Sequence, residues 1–137
     1  MGTLEVSIVT PNGEVYNNKE TSLVVLDTHS GQVGIMKNHV PMVATLKIGV
    51  LKIVDSNNKN TFFAVSEGFV ETHKESLTVI VQTAEEATTI DKTRAEEAKA
   101  RAEERLANKD NNIDIKRAEL ALKRALTRLK AIDECKK

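Results

Sequence analysis

The sequence predicts a fold of mixed class in two parts: a β-rich body built as a sandwich or small barrel, followed by an antiparallel pair of helices. Three observations carry this prediction. Val, Ile, Thr and Gly dominate up to about residue 90, whereas Ala, Glu, Lys and Arg dominate after it. Neither Gly nor Pro occurs beyond that point, and the first arginine of the chain is Arg94. The apolar residues alternate before this seam, Ile90–Ala95, and follow a helical period after it.

The body is predicted to contain short strands separated by turns. Leu4, Val6 and Ile8 lie on one face of the first strand. The turn at Thr10–Gly13 follows, because Pro presets φ and Asn-Gly tolerates positive φ, and a second turn is predicted at Ser30-Gly31. The predicted strands are residues 3–9, 15–16, 21–28, 32–36, 46–54, 61–66, 69–73 and 77–82.

The core of the body is predicted to draw its bulk from Phe62, Phe63 and Phe69. The continuous apolar run Leu23–Leu26 indicates a strand that is buried on both faces. About 80 residues are enough for one modest core. Polar residues 55–60 are predicted to form a hairpin tip, and residues 37–39 an exposed loop.

The tail is predicted to form two helices. Asp91 is placed as the cap or first-turn acid of the first helix, because carboxylates favour the positive helix N-terminus. Residues 108–112 break the pattern, since Asn and Asp favour turns. The apolar stripes are Ala95, Ala98, Ala102 and Leu106 in the first helix, and Ile115, Ala118, Leu122, Ala125, Leu129 and Ile132 in the second. Their steps of three and four residues are typical of a helix–helix seam.

This hairpin is predicted to be weakly held. A seam rich in alanine buries little apolar area at roughly 25 cal/mol per Å², and isolated helices of this length are marginal in water. The hairpin therefore needs the body, a ligand or another protein to hold one conformation. Such a segment changes shape at a small free-energy cost, which is a first indication of a regulatory function.

The arginines of the tail follow one repeated spacing and leave two interpretations open. They are Arg94, Arg101 and Arg105 in the first helix, and Arg117, Arg124 and Arg128 in the second. One interpretation is a solvated face with ion pairs such as Glu97 with Arg101. The other is a polyanion site, because guanidinium groups match the geometry of phosphate oxygens.

Composition excludes several classes of function. Lys plus Arg and Asp plus Glu both number 20, which argues against a nucleic-acid binder, and only 3% of residues are aromatic. The single Cys135 cannot form an internal disulfide, which favours a reducing compartment. No secretory signal and no membrane-length apolar run are predicted, so any membrane location comes through a partner. His29, His39 and His73 lack metal-ligand spacing, and we predict neither a metal site nor catalytic residues.

Five segments of the sequence resemble one family over the whole chain. They are VTPNG at residues 9–13, SGQVGIMKNHVP at 30–41, AVSEGFVE at 64–71, IDKTRA at 90–95 and DIKRAELALKRALTRL at 114–129. The chain resembles the epsilon subunits of bacterial F-type ATP synthases, including their bacillus-type, ATP-binding members. The resemblance implies a β-sandwich of about ten strands, residues 1–83, and a helical hairpin, residues 84–137.

The resemblance also implies a non-catalytic role in the central stalk. Members bind the gamma subunit and the c subunits of the rotor ring, and couple the ring to the catalytic head during proton-driven ATP synthesis. Their hairpin folds on the sandwich or extends along gamma to the alpha and beta subunits of the head, where it inhibits ATP hydrolysis. The implied location is peripheral, on the cytoplasmic face of the bacterial cell membrane, through the complex alone.

ATP is the regulatory ligand that the resemblance implies, and no cofactor is required. Binding of ATP favours the folded, non-inhibitory hairpin in such members. The implied ATP-binding residues are Glu85, Ile90, Asp91, Arg94, Ala95, Arg124 and Arg128. Asp91 and the Ile90 backbone would read the adenine edge, while the arginines hold phosphates.

Contacts with the rotor ring and gamma are implied for the region that includes Ser30, Gln32 and His39. Two positions depart from the family pattern. Lys37-Asn38 replaces the usual Pro-Gly before the loop histidine, a turn that Asn preserves by tolerating positive φ. Gln32 replaces a glutamate of some members, so charge pairing with the ring is not carried over.

Two other functions remain as alternatives from the sequence. One is a stand-alone ATP-sensing protein that needs no complex. The other is an unrelated enzyme built on a β-sandwich, for which the sequence offers no catalytic residues.

Overall fold

The computed structural model describes residues 2–108 and 114–137, and within them it contains a nine-stranded sheet and two α-helices. The strands are β1 (Leu4–Thr10), β2 (Gly13–Thr28), β3 (Gly31–Ile35), β4 (Met42–Leu46), β5 (Gly49–Asp55), β6 (Asn60–Val65), β7 (Gly68–Thr72), β8 (Ser76–Val81) and β9 (Ala84–Glu86). A 3₁₀ turn (Ala87–Thr89) leads into α1 (Lys92–Ala107), and α2 is Ile115–Lys136. The predicted class, a β-sandwich followed by two helices, is confirmed.

The sheet folds into two layers because one long strand takes part in both. Strand β2 has 16 residues. Its first part pairs with β1, and its second part pairs with β3 and β5. Strand β1 also pairs in parallel with β8, which continues through β7 and β4 back to β2. The hydrogen-bond ladder therefore closes on itself.

Several strand boundaries differ from those that the sequence predicts. Residues 15–16 and 21–28 belong to one strand, β2, whose pairing is shifted at irregularities rather than interrupted by a turn. The predicted strand 46–54 is divided between β4 and β5, because the chain leaves the sheet at Lys47-Ile48. Strand β9 pairs with β6 and adds an edge strand just after residue 83. The prediction of about ten strands becomes nine in the described residues.

The core lies between the two layers and follows the alternation that the sequence predicts. Leu4, Val6 and Ile8 are 2%, 0% and 0% exposed. Phe63 packs edge-on against Tyr16, with ring centroids 5.1 Å apart. The prediction that Phe69 fills the core is wrong, since Phe69 is 50% exposed. Its neighbour Val70 takes the inward position of β7, and the side-chain period of a strand sends Phe69 outward.

Phe62 is buried on the opposite side of the sheet. Neighbouring residues of a strand point to opposite faces, so Phe62 and Phe63 cannot share one core. Phe62 instead packs with Ala64, Ala87 and, from α2, Ala131. The outer face of β6 is thus the surface that receives the helical tail.

The loop after β3 keeps a tight turn although it has no glycine. Asn38 has φ 69°, and its backbone N–H donates to the carbonyl of Lys74 at 2.9 Å. The prediction that Asn takes over positive φ at this place is confirmed. Asn is among the few non-glycine residues that adopt this conformation readily.

The helices pack against each other through alanines. Ala95, Ala102, Ala118 and Ala125 are at most 2% exposed. Ile115 departs from the predicted stripe, being 50% exposed. Helix α1 ends at Ala107, whereas residues 109–112 of the predicted break lie outside the described residues. Across residues 2–108 and 114–137, neither helix is long and apolar enough to span a membrane.

The pairing of β7 with β8 generates a prediction about stability. A Cβ added at Gly68 would overlap the carbonyl oxygen of Ile80 and lie 2.8 Å from the Cα of Val81. Because these are backbone atoms of a paired strand, they cannot give way cheaply. We expect Gly68→Ala to lower the free energy of unfolding by about 2–3 kcal/mol. Urea denaturation followed by the fluorescence of Tyr16 measures this loss.

Gly34→Ala is the matched control for this substitution. Its Cβ would lie 3.5 Å from Cδ1 of Leu23, an ordinary van der Waals contact. We expect this variant to lose less than about 1 kcal/mol. An equal loss in both variants would mean that the backbone contact at Gly68 is not the cause.

Candidate functional site

A cleft of about 440 Å³ lies where the sandwich meets the helical hairpin. Strand β9, the turn after it, the first turns of α1 and one residue of α2 contribute to its walls. The lining residues are Glu85, Thr89, Ile90, Asp91, Arg94, Ala95, Glu97, Ala98, Arg101 and Arg128. This volume is within the range of about 300–1,000 Å³ that is usual for small-molecule sites.

The beginning of α1 is fixed by a side-chain cap at the floor of the cleft. Asp91 has extended backbone angles, and its Oδ1 accepts a hydrogen bond from the backbone N–H of Arg94 at 3.1 Å. The predicted cap is confirmed. Ile90 is half-buried and packs against the cluster around Phe62. These two contacts fix the chain direction just where Arg94 and Ala95 enter the cleft.

One ion pair connects the two sides of the site. Nε of Arg128 donates to Oε1 of Glu85 at 2.8 Å, and the two side chains are 32% and 40% exposed. Arg128 belongs to α2 and Glu85 to β9, so this contact joins the tail to the sandwich. Since both groups remain accessible, a ligand of suitable charge could compete for either of them.

The charges around the cleft are mixed. Three carboxylates and three guanidinium groups line it: Glu85, Asp91 and Glu97, and Arg94, Arg101 and Arg128. Arg94 and Arg101 are exposed and lie about two turns apart on α1. Guanidinium groups bind phosphate or carboxylate oxygens in a bidentate manner. The arrangement is therefore able to hold an anionic group beside hydrogen-bond acceptors for a neutral polar ring.

The structure brings together six of the seven residues predicted for ATP. Glu85, Ile90, Asp91, Arg94, Ala95 and Arg128 line the cleft. The seventh, Arg124, is exposed one turn before Arg128 and lines a small adjoining pocket of about 10 Å³. That pocket shares Glu85 and Arg128 with the cleft. Arg124 thus lies beside the main site rather than in its wall.

Sequence reasoning left out four residues of the cleft, namely Thr89, Glu97, Ala98 and Arg101. Arg101 had a visible signal, because it follows Arg94 by seven residues in the arginine stripe. Arg105 and Arg117 share that pattern and are exposed, yet neither lines the cleft. Spacing alone could not separate these arginines.

The residues predicted for rotor and gamma contacts lie at two ends of one strand. Ser30 and Gln32 are exposed at the turn between β2 and β3. His39 is half-buried beyond the other end of β3, and its Nδ1 is 2.8 Å from the carbonyl oxygen of Val40. A strand of five residues is about 16 Å long. The structure does not bring the three residues into one compact site.

Potential metal ligands are dispersed. In the ranges 2–108 and 114–137 no three His, Cys, Asp or Glu side chains come together in a way that could hold a metal ion. Glu71 and His73 form an exposed pair, with 2.7 Å between Oε1 and Nε2. Cys135 is exposed near the end of α2.

Comparisons with known proteins agree with one another. The model of the ATP synthase delta/epsilon chain β-sandwich domain matches residues 3–87, and that of the delta/epsilon long α-helix domain matches residues 88–133. The ATP synthase epsilon chain of Staphylococcus aureus is 51% identical over 133 residues, covering 97% of this chain and 98% of that one. The ATP synthase epsilon chain of Staphylococcus saprophyticus is 50% identical over 112 residues, covering 82% and 83%.

Two solved assemblies contain chains of similar fold. A chain of the Euglena gracilis mitochondrial ATP synthase, solved with OSCP, F1 and c-ring, has a TM-score of 0.85 at 17% identity, covering 96% of this chain and 82% of that one. A chain of the Tetrahymena thermophila mitochondrial ATP synthase central stalk and c-ring has a TM-score of 0.60 at 19% identity, with coverage of 96% and 99%. At these identities the likeness concerns the fold alone.

The cap of α1 generates a prediction that separates capping from charge. We expect Asp91→Ala to destabilise the first turn of α1 by about 1 kcal/mol, because the N–H of Arg94 loses its acceptor. Asp91→Asn should leave this turn intact, since Asn caps as well as Asp. Amide hydrogen exchange of the first turn of α1 measures both effects. Equal loss in the two variants would assign the stabilisation to the carboxylate charge instead.

Proposed function

The chain belongs to the ATP synthase delta/epsilon family, and we propose that it serves as a regulatory epsilon subunit in the central stalk of an F-type ATP synthase. In this proposal it is not itself a catalyst. It couples the rotor ring to the catalytic head during proton-driven ATP synthesis, and its hairpin inhibits ATP hydrolysis when extended. ATP binds the cleft and favours the folded, non-inhibitory hairpin.

The observation that carries the regulatory part is that three separate elements form one cleft. Glu85 comes from β9, Asp91 and Arg94 from the start of α1, and Arg128 from α2. A ligand bound there contacts all three elements at once. It therefore binds the folded hairpin better than the extended one, and stabilises the folded state by RT ln(1 + [ATP]/Kd).

The chemistry of the lining fits a nucleotide triphosphate. In the proposed arrangement the arginines of both helices, Arg94, Arg128 and the adjoining Arg124, hold the phosphates. Asp91 and the backbone of Ile90 take the hydrogen-bonding edge of adenine. The half-buried Ile90 and the methyl group of Ala95 supply an apolar wall for the ring.

The small side chains at the buried positions of the tail support a mobile hairpin. Alanines make up most of the buried positions of both helices. Their burial contributes little free energy, so the folded and extended states differ by an amount that a ligand of ordinary affinity can supply. In the proposed extended state the basic residues of α2 meet the alpha and beta subunits.

The sandwich is proposed to bind gamma and the c subunits of the ring. Ser30 and Gln32 at the turn before β3 offer one contact region, and His39 beyond β3 offers a second. The proposed location, peripheral on the cytoplasmic face of the bacterial cell membrane, depends on these contacts.

Calorimetric titration of ATP into the isolated chain tests the proposed site. We expect saturable binding that Arg94→Ala weakens at least tenfold, because a hydrogen bond to a charged group contributes roughly 1.5–3 kcal/mol. The double variant Arg94→Ala, Arg124→Ala should weaken it further.

Arg105→Ala is the matched control, with the same charge change on the same helix outside the cleft. We expect its affinity to stay within about twofold of the original chain. Equal weakening of ATP binding by Arg105→Ala would mean that the loss of net positive charge, rather than a contact in the cleft, causes the effect of Arg94→Ala. Absence of saturable binding at millimolar ATP would remove ATP as the ligand and leave family membership intact.

A shortened chain tests the role of the hairpin in the complex. Ending the chain at Thr89 keeps β9 paired with β6 and removes both helices. We expect this form to assemble with gamma and the ring of the matching ATP synthase and to leave ATP hydrolysis uninhibited, whereas the full chain inhibits it. Undiminished inhibition by the shortened form would rule out the hairpin mechanism. Failure of the full chain to assemble would favour a stand-alone ATP sensor.

A further inference from the structure

The hairpin is attached to the sandwich through the second half of α2. Helix α1 packs mainly on α2, whereas α2 packs on β5, β6 and the 3₁₀ turn. Ala131 of α2 is 0% exposed and lies in one cluster with Phe62, Ala64 and Ala87 of the body. One turn earlier, Arg128 forms its ion pair with Glu85. Both contacts lie within four residues of the chain.

We infer that the contact of Ala131 with Phe62, Ala64 and Ala87, together with the Arg128–Glu85 ion pair, is a latch that holds the hairpin on the sandwich without a bound ligand. Ala131 does not line the cleft, so this part of the latch is separate from the proposed ATP site. The existence of the latch is independent of ATP binding. Its regulatory consequence rests on the proposed function.

The apolar contact contributes most of the free energy that holds the hairpin on the sandwich. The side chains of the ion pair are 32% and 40% exposed, and solvent screening leaves such pairs little net contribution. Ala131 in contrast is fully enclosed. Its small side chain lets the helix backbone approach Phe62 closely, and a larger side chain has no space without moving the helix away.

The latch makes ligand affinity depend on a residue that does not contact the ligand. Only the folded hairpin completes the cleft, so the apparent Kd equals the intrinsic Kd divided by the folded fraction. Weakening the contact at Ala131 lowers that fraction and, through it, the apparent affinity for the ligand of the proposed site.

Hydrogen exchange of the full chain, read by mass spectrometry without nucleotide, tests the latch. We expect Ala131→Leu to accelerate exchange in α1 and α2 by roughly tenfold, because overpacking shifts the hairpin toward the undocked state, in which isolated helices are marginal. Exchange in β1 and β8 should remain unchanged. Ala100→Leu, the same change at an exposed position of α1, is the control and should leave α2 as protected as before.

Each outcome decides the question. Unchanged exchange of α2 in Ala131→Leu, or equal acceleration by Ala100→Leu, would overturn the latch. Acceleration that extends to β1 and β8 would overturn it as well, since the contact would then belong to the global fold. A second measurement at saturating ATP, made on the unsubstituted chain, separates the two proposals: slower exchange in α1 and α2 supports ATP as the ligand, while unchanged exchange removes ATP and leaves the latch standing.

Discussion

The close approach of two helices and a sheet through alanine side chains is the constraint on which the behaviour of the tail depends. A buried methyl-sized group contributes about 0.8 kcal/mol, compared with roughly 1.5–3 kcal/mol for a buried Leu or Phe. The positions in closest contact are Ala95, Ala102, Ala118, Ala125 and Ala131, each at most 2% exposed. Small side chains make the fit close and the attachment weak. The sandwich has the opposite property, because its core is filled by large residues such as Leu51 and Ile53 and its ladder closes on itself.

The cleft lies where the weakly attached hairpin meets the rigid sandwich, and this position explains which elements supply its residues. A site within the sandwich would be fixed whether or not the hairpin moved. A site within the hairpin alone would not connect it to the body. The segment Ile90–Ala95 follows the last strand and begins α1, whereas Arg128 is supplied by α2, the helix that moves in the proposed mechanism. The proposed coupling of ligand binding to hairpin docking follows from this shared boundary.

Local patterns in the sequence were sufficient where a single element decides the outcome. The alternation in β1, the cap at Asp91 and positive φ at Asn38 all follow from the residue types themselves. Predictions failed where the conformation of a residue depends on an element that is distant in the sequence. Phe69 lies outward because Val70 takes the inward register, and β9 forms because β6 offers a free edge. At the cleft, the resemblance pointed to Ile90, Asp91, Arg94 and Ala95, all of which line it, but six arginines with one spacing gave no indication that Arg101 enters the cleft and Arg105 does not.

The shared role of Arg128 sets how strongly a polyanion can act on the hairpin. In the proposed complex a phosphate group competes with Glu85 for the guanidinium of Arg128, so that binding weakens one contact between α2 and β9 while it gains contacts with α1 and α2. The carboxylates of Glu85 and Glu97 remain nearby and oppose the added negative charge. The apolar contact at Ala131 contains none of these charged groups and lies outside this exchange. In the proposed mechanism the ligand replaces an ionic contact, whereas the alanine contact holds α2 in the place where this replacement occurs.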